Sequence, residues 1–176
     1  MKKAKAKSKA KTRPASKKVK KVAPIPAGSH AVTPYLSIRG AAQALEFYSM
    51  AFGAKEMLRF PGPDGKLGHA EIKIGDSRIM LADEYPEMNI LSPQSRGGTT
   101  VSLYIYVSNA DATVERAVAA GAKLLRPVAD QFYGDRTGTI EDPFGHMWHV
   151  GTHKEDLSKA ELRKRGEQAM AKAGGG

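Results

Sequence analysis

The chain repeats one order of predicted elements, and an internal repeat constrains a fold more strongly than composition does. When Glu46 is aligned with Glu115, residues 33–38 align with residues 102–107. Each copy then predicts a strand, a helix and three further strands. The predicted ranges are strand 32–38, helix 41–52 and strands 55–60, 67–74 and 77–83, then strand 100–108, helix 110–120 and strands 122–127, 134–141 and 146–152. The sequence therefore predicts two consecutive βαβββ modules.

Local patterns support the two predicted helices. Leu45, Tyr48 and Phe52 recur at helical spacing in the first copy, so one face of that helix is expected to enter the core. In the second copy, Ser108 followed three residues later by Asp111 predicts a capping box at the helix start. The two modules thus each carry their own local folding signals.

Positive charge is concentrated at the N-terminus. The chain has 28 basic and 18 acidic residues, but residues 1–21 alone hold ten Lys, one Arg and no acid. Without those eleven basic residues, 17 basic residues face 18 acidic ones. We expect residues 1–29 to be a disordered Lys-rich tail and Pro-rich linker. Such a tail could contact DNA or RNA non-specifically through residues 1–21, or it could be only a solubilising extension.

The rest of the composition predicts a soluble folded domain. There are no cysteines, so disulfides and thiolate ligands are excluded. No apolar run is long enough for a transmembrane helix, and no secretory signal is evident. We therefore expect a cytoplasmic protein without a membrane partner. The predicted domain covers residues 30–153, with modules 30–84 and 99–153, and residues 154–176 form a C-terminal helix and tail.

The last predicted hairpin carries a concentration of functional side chains. Residues 142–145 (DPFG) form a tight-turn sequence between two extended runs. Because side chains alternate along a strand, Trp148 and His149 must face opposite sides of the returning strand. The pattern predicts Trp148 in the core or an interface, and His149 on the face that a ligand could reach.

The repeat and its motifs resemble one known family. The motifs are PYLSI, AAQALEFYSMAFGAKE, GHAEIKIGDSRIMLADE and DQFYGDRTGTIEDPFGHMWHVGTHKED, within residues 30–153. They resemble the PhnB-like branch of the vicinal oxygen chelate superfamily, which includes glyoxalase I, extradiol dioxygenases, and fosfomycin and bleomycin resistance proteins. The resemblance implies an α+β fold in which two tandem βαβββ modules form a cupped mixed sheet. It also implies a homodimer.

The resemblance further implies where a catalytic metal would be bound. Metal-dependent members place ligands at positions that fall here on Thr33, Ser102, a residue near Met80, and His149. Only His149 is a strong ligand, whereas a catalytic divalent ion needs at least three. We therefore expect no metal at the usual positions and no cofactor.

A displaced metal site is the alternative. His69 and Glu71 share one face of a predicted strand, and together with His149 they could hold a divalent ion as two histidines and one carboxylate. Otherwise His69 and Glu71 form a hydrogen-bonded pair that faces solvent or lines a cavity.

Tyr133, Asp135 and Arg136 suggest a second kind of site. The tyrosine hydroxyl and the guanidinium suit an anionic small molecule, and the aspartate could hold the guanidinium in place. Alternatively, Asp135 and Arg136 form an ion pair that only fixes a loop.

Three functions follow from these patterns. The first is a glyoxalase- or bleomycin-resistance-like protein that binds a small polar or anionic molecule in its cupped sheet, without an assigned reaction. The candidate ligand-binding residues are His69, Glu71, Tyr133, Asp135, Arg136 and His149. The second function is a metal-dependent lyase, isomerase or dioxygenase. The third is association with polyanions through the basic tail.

Overall fold

A computed structural model describes residues 22–173. The first module contains strand β1 (Tyr35–Ile38), helix α1 (Ala41–Phe52), and strands β2 (Lys55–Pro61), β3 (Leu67–Ile74) and β4 (Ser77–Asp83). The second contains β5 (Ser102–Tyr106), α3 (Ala110–Ala119), β6 (Lys123–Asp130), β7 (Asp135–Glu141) and β8 (Met147–His153). A 3-10 turn (Pro86–Met88) and a short helix α2 (Pro93–Arg96) connect the modules, and α4 (Lys159–Ala173) follows them. The predicted order of elements is confirmed, whereas the predictions for residues 1–21 lie outside the described residues.

The eight strands form two four-stranded mixed sheets, one in each module. The strand orders are β1-β4-β3-β2 and β5-β8-β7-β6. In each sheet the first strand of the module runs parallel to the last, and the other pairs are antiparallel. The predicted α+β class with two βαβββ modules is therefore confirmed.

A single hydrophobic core joins the modules. Helices α1 and α3 pack against each other and against one face of the sheets. Trp148 is fully buried. The centroid of its ring lies 4.8 Å from that of the Phe52 ring and 5.4 Å from that of the Tyr48 ring. In the described part of the chain, the other face of each sheet carries no helix contact of this kind, and we call it the open face.

Asp142 links the two modules through buried hydrogen bonds. One of its carboxylate oxygens accepts hydrogen bonds from the Tyr48 hydroxyl at 2.8 Å and from the Trp148 indole at 2.9 Å. The other oxygen accepts the backbone N–H groups of Phe144 and His146, each at 2.9 Å. Since Tyr48 belongs to α1 and Asp142 follows β7, this carboxylate connects the first helix to the last hairpin.

The start of α3 differs from the predicted capping box. Asn109, and not Ser108, precedes the first helical residue, and its side-chain oxygen accepts the N–H of Ala112 at 3.0 Å. An asparagine at this position satisfies a backbone donor of the first turn as well as serine would. The prediction was therefore wrong by one residue, and the Asp111 carboxylate binds elsewhere.

Glu84 holds the connection between the modules in place. Its carboxylate accepts the Ser95 hydroxyl at 2.6 Å, the Ser92 N–H at 2.9 Å and the Arg39 guanidinium at 2.8 Å. These hydrogen bonds, that of Ser95 foremost, lower the pKa of Glu84 to about 2. Glu84 is therefore ionised at neutral pH.

None of the described helices is long and apolar enough to cross a membrane.

Candidate functional site

A row of four side-chain positions crosses the second sheet in register. Arg126 of β6 pairs with Thr139 of β7, Thr139 pairs with His149 of β8, and His149 pairs with Tyr104 of β5. Trp148 is buried in the core while the adjacent His149 is half-buried on the open face, as the alternation predicted. A cavity of about 300 Å³, here called the His149 cavity, is lined by Tyr104, Arg126, Tyr133, Thr137, Thr139 and His149.

The His149 ring is held by two hydroxyl groups. Its Nδ1 lies 3.0 Å from the Thr139 hydroxyl, and its Nε2 lies 3.2 Å from the Ser102 hydroxyl. A hydroxyl can donate or accept a hydrogen bond, so either neutral tautomer is accommodated. These two hydroxyls therefore set the orientation of the ring where it lines the cavity.

Asp135 gathers three donors at one end of this face. It accepts the Tyr104 hydroxyl at 3.0 Å, the Tyr106 hydroxyl at 2.9 Å and the His153 Nδ1 at 2.8 Å. Burial alone would raise the pKa of Asp135, but the hydrogen bonds from His153, Tyr106 and Tyr104 outweigh it and lower that pKa. The hydrogen bond to Asp135, together with a second one to Asp156, raises the pKa of His153. Asp135 is thus a charged acceptor whose oxygens are already occupied.

Gly151 gives the Tyr104 ring the space in which it lies. A Cβ at Gly151 would collide with the Tyr104 hydroxyl and would lie 2.9 Å from Cε1 of the same ring. Any larger residue would therefore displace Tyr104 from its hydrogen bonds to Asp135 and to the Thr137 hydroxyl, the latter 2.9 Å away. The position of Tyr104 in the cavity wall therefore depends on the absence of a side chain at Gly151.

Arg136 does not join Asp135, contrary to the predicted cluster. Its guanidinium binds both carboxylate oxygens of Asp111 at 2.7 Å and an Asp130 oxygen at 3.2 Å. The physical reason is strand alternation, which turns adjacent side chains to opposite faces. Of the predicted cluster only Tyr133 lines the His149 cavity, and Arg126, which the sequence did not single out, supplies its cation.

His69 and Glu71 lie on the open face of the first sheet. His69 is 3.0 Å from the Tyr35 hydroxyl through Nδ1 and 3.4 Å from Glu71 through Nε2. Glu71 also accepts the Arg78 guanidinium at 2.8 Å. His69 and Glu71 therefore form a hydrogen-bonded pair, which was the alternative to a displaced metal site in the sequence-based expectations.

The residues present do not fit the metal that the resemblance implies. His69 and Glu71 belong to the first sheet and His149 to the second. Within residues 22–173, no three His, Cys, Asp or Glu side chains lie where they could hold one ion. At the usual positions, Met80 offers only a thioether, and the Ser102 hydroxyl is engaged with His149. No reaction step is therefore derived through a metal.

Known proteins are similar to this chain in sequence. The sequence model of the Glyoxalase/Bleomycin resistance protein/Dioxygenase superfamily matches residues 29–150. An uncharacterized protein of Mycobacterium bovis is 40% identical over 149 residues, which cover 83% of this chain and 95% of that protein. An uncharacterized protein of Mycobacterium tuberculosis is also 40% identical, with 83% and 85% covered.

Solved structures agree with these sequence matches. The crystal structure of TioX from Micromonospora sp. ML1 is 25% identical, with a TM-score of 0.55, and covers 74% of this chain and 100% of TioX. The PhnB protein of Bacillus cereus is 20% identical, with a TM-score of 0.56 and 70% and 99% covered. At that identity the likeness to PhnB concerns the fold alone.

Proposed function

The chain belongs to the Glyoxalase/Bleomycin resistance protein/Dioxygenase superfamily, and on that premise we propose that its second module binds a small polar or anionic molecule in the His149 cavity. One observation carries the proposal. An arginine, two tyrosines, two threonines and an imidazole held by two hydroxyl groups line a single concave space of about 300 Å³ on an open sheet face. No reaction is assigned to the site.

Arg126 is the group that would select an anion. Among the described residues none accepts a hydrogen bond from its guanidinium, which leaves a planar donor set for a carboxylate or phosphate. Tyr133 lines the same cavity and can donate a hydroxyl proton, while His149 offers an imidazole edge held by Ser102 and Thr139. Asp135 would not compete, because its oxygens already have donors.

Two arginines of the second module provide a matched test. A thermal-shift screen of small carboxylates and phosphates should find a compound that raises the melting temperature. At a concentration of 100 times Kd the expected stabilisation is about 2.7 kcal/mol. Arg126→Gln should abolish that shift. Arg136→Gln removes the same charge from the other side of the sheet, and should lower the starting stability but keep the shift. If Arg126→Gln retains the full shift, the proposed site is wrong.

The metal-dependent alternative makes a different demand. It needs His69, Glu71 and His149 around one ion, and the described part of one chain holds the first two on a different sheet from the third. Elemental analysis of untagged protein tests it, because a metal-dependent lyase, isomerase or dioxygenase requires near-stoichiometric divalent metal. Stoichiometric metal that is lost in both His69→Ala and His149→Ala would favour this alternative over simple binding.

A homodimer is part of the same proposal. The open face of the first sheet exposes Tyr35 to 51%, Leu58 to 36% and Phe60 to 58%. The Tyr35 and Phe60 rings lie on either side of the His69 ring, and exposed aromatic side chains grouped in this way are typical of protein interfaces. Light scattering coupled to gel filtration should give twice the chain mass, and Phe60→Ser should shift the protein towards monomer. A monomeric wild-type protein at micromolar concentration would contradict the dimer.

A further inference from the structure

A second cavity lies where the two modules meet, apart from the His149 cavity. It also measures about 300 Å³, and it is enclosed by residues 30–34, the β3–β4 hairpin at residues 74–79, residues 103–106 of β5, and Trp148. We call it the seam cavity. Tyr104 is the one described residue that lines both cavities.

The floor of the seam cavity is apolar. Ile79 and Trp148 belong to the buried core, with 5% and 0% of their surfaces exposed, and Leu103 and Ile105 pack partly buried against that core. An apolar concavity of this size suits a molecule of one or two rings, because burying the ring surface is the favourable term in binding.

One wall of the seam cavity carries a cation. The side chain of Arg78 is 23% exposed and donates one hydrogen bond, from Nη1, to Glu71 at 2.8 Å. Among the described residues no second acceptor for its guanidinium is found, so the Nη2 side keeps its donors. The negatively charged lining residue, Asp76, already accepts a hydrogen bond from the Ser77 hydroxyl. The charges of Arg78 and Asp76 offset each other, so the preference for an anionic group rests on the Nη2 donors of Arg78, whose geometry suits a carboxylate.

The free edge of β5 supplies further polar groups. This strand is hydrogen-bonded only to β8 among the described strands, so it is the outermost strand of its sheet. The backbone N–H and C=O groups on its other edge have no strand partner there, and they run along the seam cavity. They can accept hydrogen bonds from substituents on a ring, or donate hydrogen bonds to them.

From these observations we infer that the seam cavity is a second binding site, specific for a small aromatic carboxylate. The ring lies against Leu103, Ile105 and Ile79, and the carboxylate binds the open side of the Arg78 guanidinium. The site is independent of the His149 cavity, so it stands whether or not that cavity binds a ligand.

Trp148, the single tryptophan of the chain, reports on the site. Anthranilate is a small aromatic carboxylate that absorbs light where tryptophan emits, and anthranilamide is its uncharged counterpart. Titration of the full-length protein with anthranilate should quench Trp148 emission saturably. Anthranilamide should bind roughly tenfold more weakly, as expected for the loss of one charge-assisted contact. Quenching that rises linearly without saturation would overturn the inference.

Variants assign the quenching to one cavity. The first variant is Arg78→Gln, combined with Glu71→Gln so that no carboxylate is left unpaired. It should weaken the binding of anthranilate roughly tenfold and remove the preference for anthranilate over anthranilamide. Lys73→Gln is the matched control: Lys73 lies opposite Arg78 on the neighbouring strand but does not line the cavity. It should change the affinity less than about twofold, because an exposed charge is screened.

Two further variants distinguish the seam cavity from the His149 cavity. Leu103→Phe should fill the seam cavity and abolish binding of both probes, with a melting curve to show that the variant is folded. His149→Ala should leave the quenching unchanged. If His149→Ala abolishes the quenching, or if the folded Leu103→Phe protein binds anthranilate as well as the wild type does, the seam cavity is not the site.

Discussion

Replacing Tyr48 with phenylalanine removes a single hydroxyl group from the contact between the modules. That hydroxyl donates to Asp142 at 2.8 Å, and both residues are buried. Burial, followed by the nearby Asp142 charge, raises the pKa of Tyr48 well above its ordinary value, so the hydroxyl stays protonated. A buried hydrogen bond to a charged group contributes roughly 1.5–3 kcal/mol, and Tyr48→Phe should lower the free energy of unfolding by that amount.

Asp142→Ala should cost more, because it leaves donors behind. The Tyr48 hydroxyl and the Trp148 indole N–H would both remain buried without an acceptor. Each orphaned buried donor costs roughly 1–3 kcal/mol, so their sum is roughly 2–6 kcal/mol before the backbone donors are considered. In this background Tyr48→Phe should be neutral or stabilising, since it removes one orphaned group.

Urea unfolding of the four proteins in this double-mutant cycle gives the coupling between the two side chains. The control is Tyr106→Phe, which removes a hydroxyl bound to Asp135 at 2.9 Å from a side chain that is 66% exposed. Water replaces the lost partner there, so the change should stay within about 0.5 kcal/mol. If Tyr48→Phe lowers the unfolding free energy equally in both backgrounds, Asp142 does not link the modules energetically.

Three other perturbations have defined outcomes. Trp148→Ala should lower the free energy of unfolding by roughly 3–5 kcal/mol, and His149→Ala by less than about 1 kcal/mol; equal losses in urea titrations would contradict the assignment of faces. Because the pKa of Glu84 is lowered from 4.5 to about 2, its stabilisation should be complete above pH 4.5 and lost as the pH falls towards 2. Melting curves of Glu84→Gln should therefore depend less on pH over that interval than those of the wild type. Removal of residues 1–29 should abolish DNA binding at low salt, and binding by the full-length chain should weaken steeply as salt rises. Equal binding by both proteins, or none by either, would refute a nucleic-acid role for the tail.

Elements with strong local signals were predictable from the sequence. Helix α1 has the predicted bounds, Ala41–Phe52, because its apolar spacing and the glycine after it act within a few residues. The assignment of Trp148 to the core and His149 to the open face followed from strand alternation alone. Both inferences needed no knowledge of the tertiary structure.

Features of the candidate site that depend on register were not predictable. Arg126 enters the His149 cavity from a strand whose pairing shifts on either side of it, between Leu124 and Arg126 and between Arg126 and Ala129. Each shift changes which residues face the open side, so simple alternation along β6 fails. Arg136 was predicted to pair with Asp135 because the two are adjacent in sequence. Alternation along the strand, however, turns their side chains to opposite faces.

The relative position of the two sheets is likewise absent from the sequence pattern. Because His69 and Glu71 share one face of their strand, they were expected to be able to meet His149. The packing of α1 against α3 decides how the sheets are placed, and that contact is a tertiary property. Aligning the two repeats shows which residues are equivalent in the two modules. It does not show how far apart those residues lie.

Gly151 has a consequence for how such a site can be lost. The wall of the His149 cavity stands where it does because one strand position carries no Cβ beneath Tyr104. A glycine codon becomes an alanine codon by a single base change, and the added methyl group would push the ring aside. Every polar group of the cavity would still be encoded. A homologue could therefore keep the complete set of binding residues and yet have no site, and sequence comparison of those residues alone would not reveal it.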